Sequence, residues 1–470
     1  MREDLRVDPN AELFTWGPVP VQLFYGDAPL SGCASDFKSY GIEYEWPKGL
    51  ILFKEGRMIW IHEQRDIDTY GAALFRQHFL DIKMRETARA RFDSAVEALS
   101  AVELKIDQTD LSSLSNTAFL SLWKEFLARL AAFWAHGFPP EMAGYGGLVV
   151  LRDQLSAVPL SARDEMLQIL TAPEHMSFYQ KEEIDLYSAT DLAEHARTYA
   201  WLTNSYAHVT ELTEEYFSER KRGLPANLIE ASLERIEKVK AEKDAASRLY
   251  NLSTETLATA AALCDCITWQ DDRKKQIWIY LQYIERILTE LTRRFGLERQ
   301  DCLQLRHQEL IDHLEKGSEL PNVNERYMAA GFQIGRGEVF EITTKEAQQL
   351  WHAYVPSLTA EVDQISGVVA SKGAGLVKGK VCIVVDPLAT PHFADGDILV
   401  TTMTTPDCVF LMKKAGAIIT DTGGLTSHAA VVSRELHVAC IVGTKVATHV
   451  LKDGDIVEVN TSTGTVHILK

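Results

Sequence analysis

Residues 417–436 read Ala-Ile-Ile-Thr-Asp-Thr-Gly-Gly-Leu-Thr-Ser-His-Ala-Ala-Val-Val-Ser-Arg-Glu-Leu, and the C-terminal fold follows from that stretch. The apolar, β-branched opening predicts a strand ending at Thr420. Gly423 and Gly424 predict a turn where the backbone can be approached closely, with no Cβ in the way. Thr426 and Ser427 hold N-cap positions before a run that predicts a helix of about nine residues. His428 then stands in the first helical turn, where unpaired N–H groups and the helix dipole favour an anion. A neutral imidazole there is a competent nucleophile near neutral pH and a good leaving group on return, which suits it to carry a phosphoryl group. Thr426 and Ser427 can donate to phosphate oxygens, and Arg434 adds charge one or two turns on. The plainer reading is a glycine-rich turn with a histidine that only caps. Asp421 either orients a group near His428 or ends its strand.

Working outward, residues 365–470 contain short β-branched runs, KVCIVV, DILVTT, GAIIT, VACIVG, DIVEV and TVHIL, with Asp-Gly turns at 395–396 and 453–454. Helical patterns intervene at PDCVFLMKKAG and SHAAVVSREL, so a compact α/β unit is expected. Residues 356–364 are the expected linker. From 66 to 355 the spacing is helical, as in TAFLSLWKEFLARLAAFWAHGF, DLAEHARTYAWLTNSYAHVTEL and DRKKQIWIYLQYIERILTELTRRFG. In the third, Ile277, Tyr280, Leu281, Ile284, Ile287, Leu288 and Leu291 form one apolar face. Glycine and proline clusters at 137–140, 144–147, 223–225 and 317–321 are expected to be the joints, and AGYGGLVV an interhelical turn. Residues 1–65 are a β-rich entry segment, with two strands around Glu55-Gly56. The fold class is thus multidomain α+β: a mostly helical N-terminal and central region, then a C-terminal α/β domain.

The chain has 470 residues, room for about three domains at ~150 residues each. Its formal net charge is −18, and it carries no basic stripe, which argues against nucleic acid as a partner. No stretch approaches the ~20 apolar residues of a membrane span, and the N-terminus lacks the apolar core of a secretory signal, so a cytoplasmic location is expected. The seven cysteines lack framework spacing; Cys264 and Cys266 form an isolated C-x-C, while Cys382 and Cys440 read as core. His195 and His208 lie close to one face of an expected helix, as pocket or structural histidines. Trp123, Phe126, Phe133, Trp134, Tyr199, Trp201 and Tyr206 line either an acceptor pocket or the core, and core is the commoner use.

The run GGLTSHAAVVSREL, with Asp421 ahead and VACIVGT behind, resembles the phosphohistidine signature of phosphoenolpyruvate synthase and pyruvate phosphate dikinase. So do GVVASKGAGLVKGKVCIVVDP, FADGDILVTTMTTPD, MKKAGAIITD and LKDGDIVEVNTSTGTVHIL, which together cover about 105 residues. The resemblance implies that 365–470 is a swivelling phosphohistidine domain, with His428 phosphorylated and Thr426 and Arg434 matching the motif. It also implies ATP and Mg²⁺ as cofactors. Lys470 follows directly on the swivel-like segment and no ATP-grasp pattern precedes it, so an ATP-grasp-type partner subunit is expected, as in phenylphosphate-synthase-type systems. Asp-Asp-Arg-Lys at 271–274 opening a long amphipathic helix, RRFG, and ERQDCLQLRHQEL, in which Cys302 and Gln304 depart from the usual pattern, resemble the helical part of rifampin phosphotransferase, which implies a small-molecule acceptor bound there. The rival expectations are a regulatory protein retaining a swivel domain, and a phosphoenolpyruvate-dependent enzyme with its barrel supplied in trans.

Overall fold

The computed structural model describes residues 1–33, 46–335, 337–355, 363–385, 387, 390, 392–404, 408–425 and 427–469, with Ser161 and His428 described by their backbone. The expected linker, residues 356–364, falls outside them except for 363–364. Two long helices, Asn116–Gln154 and Thr254–Phe295, pack on each other and on Ile82–Asp107. Ser115 and Ser253 cap the long pair by accepting from Ala118 N and Thr256 N, and Gly296, at φ +65°, ends the second. The seven-residue apolar face read from the sequence is buried throughout, worth roughly 1.5–3 kcal/mol per side chain before entropy is counted.

Residues 137–147 are not a joint. They lie inside the helix Asn116–Gln154 with Pro139 and Pro140. The glycines serve contact between helices rather than a turn. A Cβ on Gly146 would lie 1.8 Å from the carbonyl carbon of Gly71, in the helix Gln64–Leu74, and one on Gly71 would lie 2.5 Å from Met142 O. Two backbones therefore touch where no side chain fits, and tertiary packing outweighs local breaking tendency. The run 191–212 departs from expectation the other way. Its helix spans only Leu192–Thr198. Beyond it, Asn204 Nδ2 donates to Trp278 O and Asn204 Oδ1 accepts from Thr210 N, a side-chain alternative to helical bonding.

The entry strands belong to a larger sheet. Strands β1 (Leu13–Pro20), β2 (Gly49–Lys54), β3 (Arg57–Glu63), β4 (Ala330–Gly335) and β5 (Glu338–Ile342) assemble antiparallel in the order β1-β3-β2-β4-β5. The β4–β5 hairpin corrects the helical reading of the chain near 330–342. Gly331 sits where a Cβ would press on Ile342, and Gly337 takes φ +73° in the turn. The central strands β2 and β4 are buried on both faces, between the main helical core and a smaller cluster around Trp351 and Tyr354.

The C-terminal sheet comprises β6 (Gln364–Ser366), β7 (Val368–Ser371), β8 (Leu376–Ile383), β9 (Ile398–Thr401), β10 (Ala417–Thr420), β11 (Ala439–Val442), β12 (Ile456–Asn460) and β13 (Thr465–Leu469). The order is β6-β13-β12-β8-β9-β10-β11-β7, with β8 to β11 mutually parallel and the remaining pairs antiparallel. Strands β9, β10 and β11 are apolar almost without a break because both faces are covered. The parallel strands end at one edge, where β10 delivers the loop before His428. Among the described residues no helix is long and apolar enough to cross a membrane.

The glycine contact makes a direct prediction. Gly146→Ala should lower unfolding free energy by ~3 kcal/mol, since backbone must separate from backbone. Gly144→Ala, which meets only the amide end of Gln270, should cost far less. Urea midpoints measure both, and equal shifts would contradict the contact.

Candidate active site

β10 ends at Thr420, and the chain turns through Asp421–Ser427 into the helix His428–Glu435. Gly423 takes φ +108°, and a Cβ there would stand 2.9 Å from Ser427 Oγ, so the turn needs glycine on both counts. Gly424 is exposed, with open space around its missing Cβ. Ser427 is the N-cap, its Oγ accepting from Ala430 N at 3.3 Å. The first-turn N–H groups of His428 and Ala429 have no intrahelical partner. Thr426 lies outside the described residues. The backbone thus puts His428 where the sequence reading expects it, at the N-terminus of a helix on the edge of a parallel sheet.

Asp421 is buried and buttresses the loop. It accepts from Thr444 Oγ1 at 3.1 Å, from Thr448 N at 3.1 Å and from Thr448 Oγ1. Burial holds its carboxyl above the ordinary range, with the threonine bonds opposing. This supports the strand-end reading of Asp421 over an orienting role at His428.

Arg434 is spent on carbonyls. Its Nε donates to Ala430 O at 2.8 Å, Nη2 to Leu425 O, and Nη1 to Gln168 O at 3.2 Å, in the helix Leu160–Leu170 of the helical region. Burial pushes its guanidinium down to about 10. Leu425 joins the hydrophobic core of the helical region, and Met403 packs against that core. Gln168 Nε2 donates to Val369 O at 2.6 Å, Lys413 pairs with Glu183, Arg235 lies 3.7 Å from Glu435, and Lys372 lies 3.1 Å from Glu165. The C-terminal domain is therefore seated on the helical region through the loop and helix that carry His428.

A cavity of about 100 Å³ lies in that seam. Val431, Val432, Glu435 and Leu436 form one wall; across it stand His175, Asp271 and Lys274. Positions 428, 431, 432 and 435 recur at the spacing of one helical face, and the last three line the cavity. Burial raises Asp271 to about 6, with Lys274 opposing. The Lys274 ammonium is itself held below its usual value by burial and makes no side-chain hydrogen bond among the described residues. Glu435 is raised to about 7 by burial, with Asp271 adding and Arg235 opposing.

The histidine pair of the sequence reading is dispersed. His195 Nε2 meets Glu182 Oε1 at 2.9 Å, and Arg220 holds the same carboxylate with two bonds; His208 lies beyond the helix and accepts from Ser205 N through its carbonyl. Trp123, Phe126, Phe133, Trp134 and Trp201 are core side chains, while Tyr199 and Tyr206 pack at the core's edge. The sequence reading takes Asp271–Lys274 as the start of a long helix, whereas they lie inside Thr254–Phe295; it gives no site role to Asp271, Lys274, Glu435 or Gln168, because their meeting across the seam has no local signal.

A parallel sheet edge, a glycine turn and a capped helix opening on His428 define the phosphohistidine-type swivel class. Residues 393–464 match the model of the PEP-utilising enzyme mobile domain, and this segment is such a domain. A probable phosphoenolpyruvate synthase of Archaeoglobus fulgidus is 50% identical over 109 residues, covering 22% of this chain and 14% of that protein. An uncharacterized phosphotransferase of Bacillus subtilis (strain 168) is 36% identical over 155 residues, 33% of this chain and 18% of the relative. The chain therefore spans under a fifth of either relative. Among solved structures, holo-form aconitase X of Thermococcus kodakaraensis aligns over 23% of this chain and 98% of its own, at 21% identity and a TM-score of 0.18.

Glu435 predicts a pH dependence. Its value in the folded chain exceeds the ordinary 4.5, so its stabilising contribution is full below 4.5 and is lost as pH rises through about 7. Compared by urea unfolding from pH 5 to 8, Glu435→Gln should gain on the wild type steadily as pH rises. A constant difference would contradict the burial of this carboxyl.

Proposed function

We propose that the chain is a component of an ATP-dependent phosphotransferase in which His428 carries a phosphoryl group from a donor subunit to a small-molecule acceptor bound by the helical region. The observation that carries this reading is the place of His428, first in a capped helix after a Gly-Gly turn, within the matched mobile domain. The domain division that goes with it is 1–65, 66–355, a linker at 356–364 and the swivel domain from 365 to 470, working in the cytoplasm.

In the first step a ring nitrogen of His428 attacks the donor phosphorus; an N–P bond forms and the donor's P–O bond breaks. Gly423 and Gly424 leave room for the phosphoryl group, and Ser427 together with the first-turn N–H groups meets its oxygens. Thr426 and Arg434 belong to the same motif. In the seated arrangement Arg434 supports this site by fixing Leu425 O and Ala430 O. In the second step an acceptor hydroxyl attacks phosphorus, an O–P bond forms, and the N–P bond breaks to return neutral imidazole. Asp271, near 6, is suited to take the hydroxyl proton at neutral pH. Lys274 supplies positive charge in the cavity.

ATP and Mg²⁺ are placed on a separate ATP-grasp-type subunit. The glycine run 144–147 does not fit a nucleotide cradle here, because it is helical and packed on Gly71. The purified chain alone should therefore neither bind Mg-ATP in the micromolar range nor label itself.

The test is acid-labile, base-stable phosphate on the chain incubated with its donor system. Label is expected in the wild type and absent from His428→Ala; label persisting in that variant would refute the assignment. Asp271→Asn should keep the label yet slow its loss to the acceptor by ~10²-fold or more. Unchanged transfer would remove Asp271 from the mechanism.

A further inference from the structure

Away from the transfer site, the C-terminal domain brings together three side chains of different chemistry. Cys382 lies near the end of β8, His392 in the connection from β8 to β9, and Asp453 in the turn before β12. One ligand atom from each lies within 4.8 Å of the others. Cys382 Sγ stands 3.5 Å from His392 Nε2. A zinc ion bonded to sulfur at ~2.3 Å and to nitrogen at ~2.05 Å, with a tetrahedral angle between them, spaces those two atoms by about 3.6 Å. The pair is therefore already set at a tetrahedral edge.

Asp453 is held as an outer partner would hold a ligating carboxylate. Its Oδ1 accepts from Ile383 N at 2.6 Å, beside Cys382, and Gly454 N donates to Val381 O at 3.0 Å, so the turn is fastened to β8. Its Oδ2 accepts no hydrogen bond among the described residues. Cys382 is buried whereas His392 and Asp453 are exposed, which gives an inner sulfur anchor and an outer face open to solvent. Cys382 is in no disulfide among the described residues, so its thiol is available to a metal.

We propose that Cys382, His392 and Asp453 form a binding site for a zinc-type divalent cation, with a fourth, outward position for water. Thiolate and imidazole favour zinc over magnesium or calcium, which take oxygen ligands. The ion joins three segments distant in sequence: β8, the β8–β9 connection and the turn before β12. β8, β9 and β10 are parallel and adjacent, so the site borders the same sheet edge as the His428 loop, two strand spacings or about 10 Å away in the sheet plane.

The test uses the metal-stripped full-length chain, titrated with Zn²⁺ by calorimetry and with Co²⁺ by absorption spectroscopy. One ion per chain is expected, and the cobalt form should show a thiolate charge-transfer band with the intense visible bands of tetrahedral coordination. Cys382→Ser should lose the charge-transfer band, and His392→Ala and Asp453→Asn should each weaken binding by at least ~tenfold. The last two changes are at exposed positions, so they remain informative if the cysteine variant folds poorly; circular dichroism checks each. A cobalt spectrum without thiolate character, or variants that bind as tightly as the wild type, would overturn the site.

Discussion

The guanidinium of Arg434 ties together the parts of this molecule that bear on function. A buried cation is costly unless it is hydrogen-bonded, and here each of its three nitrogens donates to a carbonyl: Leu425 O in the loop before His428, Ala430 O in the helix after it, and Gln168 O in the helical region. The loop, the helix and the surface on which they rest are thereby set relative to one another by one side chain. With its value pushed down only to about 10, the group keeps its charge at neutral pH. Leu425, whose carbonyl it holds, buries its side chain in the helical core.

The seam built around that cation is of mixed strength. Lys372–Glu165 is more than half exposed at both ends, and such pairs contribute only ~0–1 kcal/mol. Lys413–Glu183 and Arg235–Glu435 are more enclosed, but they neighbour Asp271 and Glu435, carboxyls that burial makes costly to ionise. A few good hydrogen bonds and one apolar anchor are thus set against enclosed acid groups. A domain held by such opposing contributions is suited to seat and release, which fits a carrier that visits two sites.

The C-terminal domain was largely legible because its signals are local. The apolar runs from KVCIVV to TVHIL all became strands, and the Ser427 cap and the φ +108° at Gly423 were carried by neighbouring residues. What could not be read is what distant segments do to each other. Gly144–Gly147 looked like a break because glycine usually is one; only the approach of Gly71 turns it into a helix contact. The β4–β5 hairpin needs β2 as its partner nearly three hundred residues earlier. At the site, the meeting of Asp271 and Lys274 with Glu435 across the seam had no local sign, nor did the bonds of Arg434, read as charge near His428, to three carbonyls.

On the function proposed for it, the C-terminal domain both seats as a body on the helical region, through Arg434, and leaves it. A pulsed-resonance distance measurement between spin labels at Lys378 and Lys240, both exposed, addresses it directly. A short-distance population matching the seated arrangement is expected beside a second at longer distance, with a shift toward the longer one in Arg434→Ala. A single distribution, the same in wild type and variant, would contradict it.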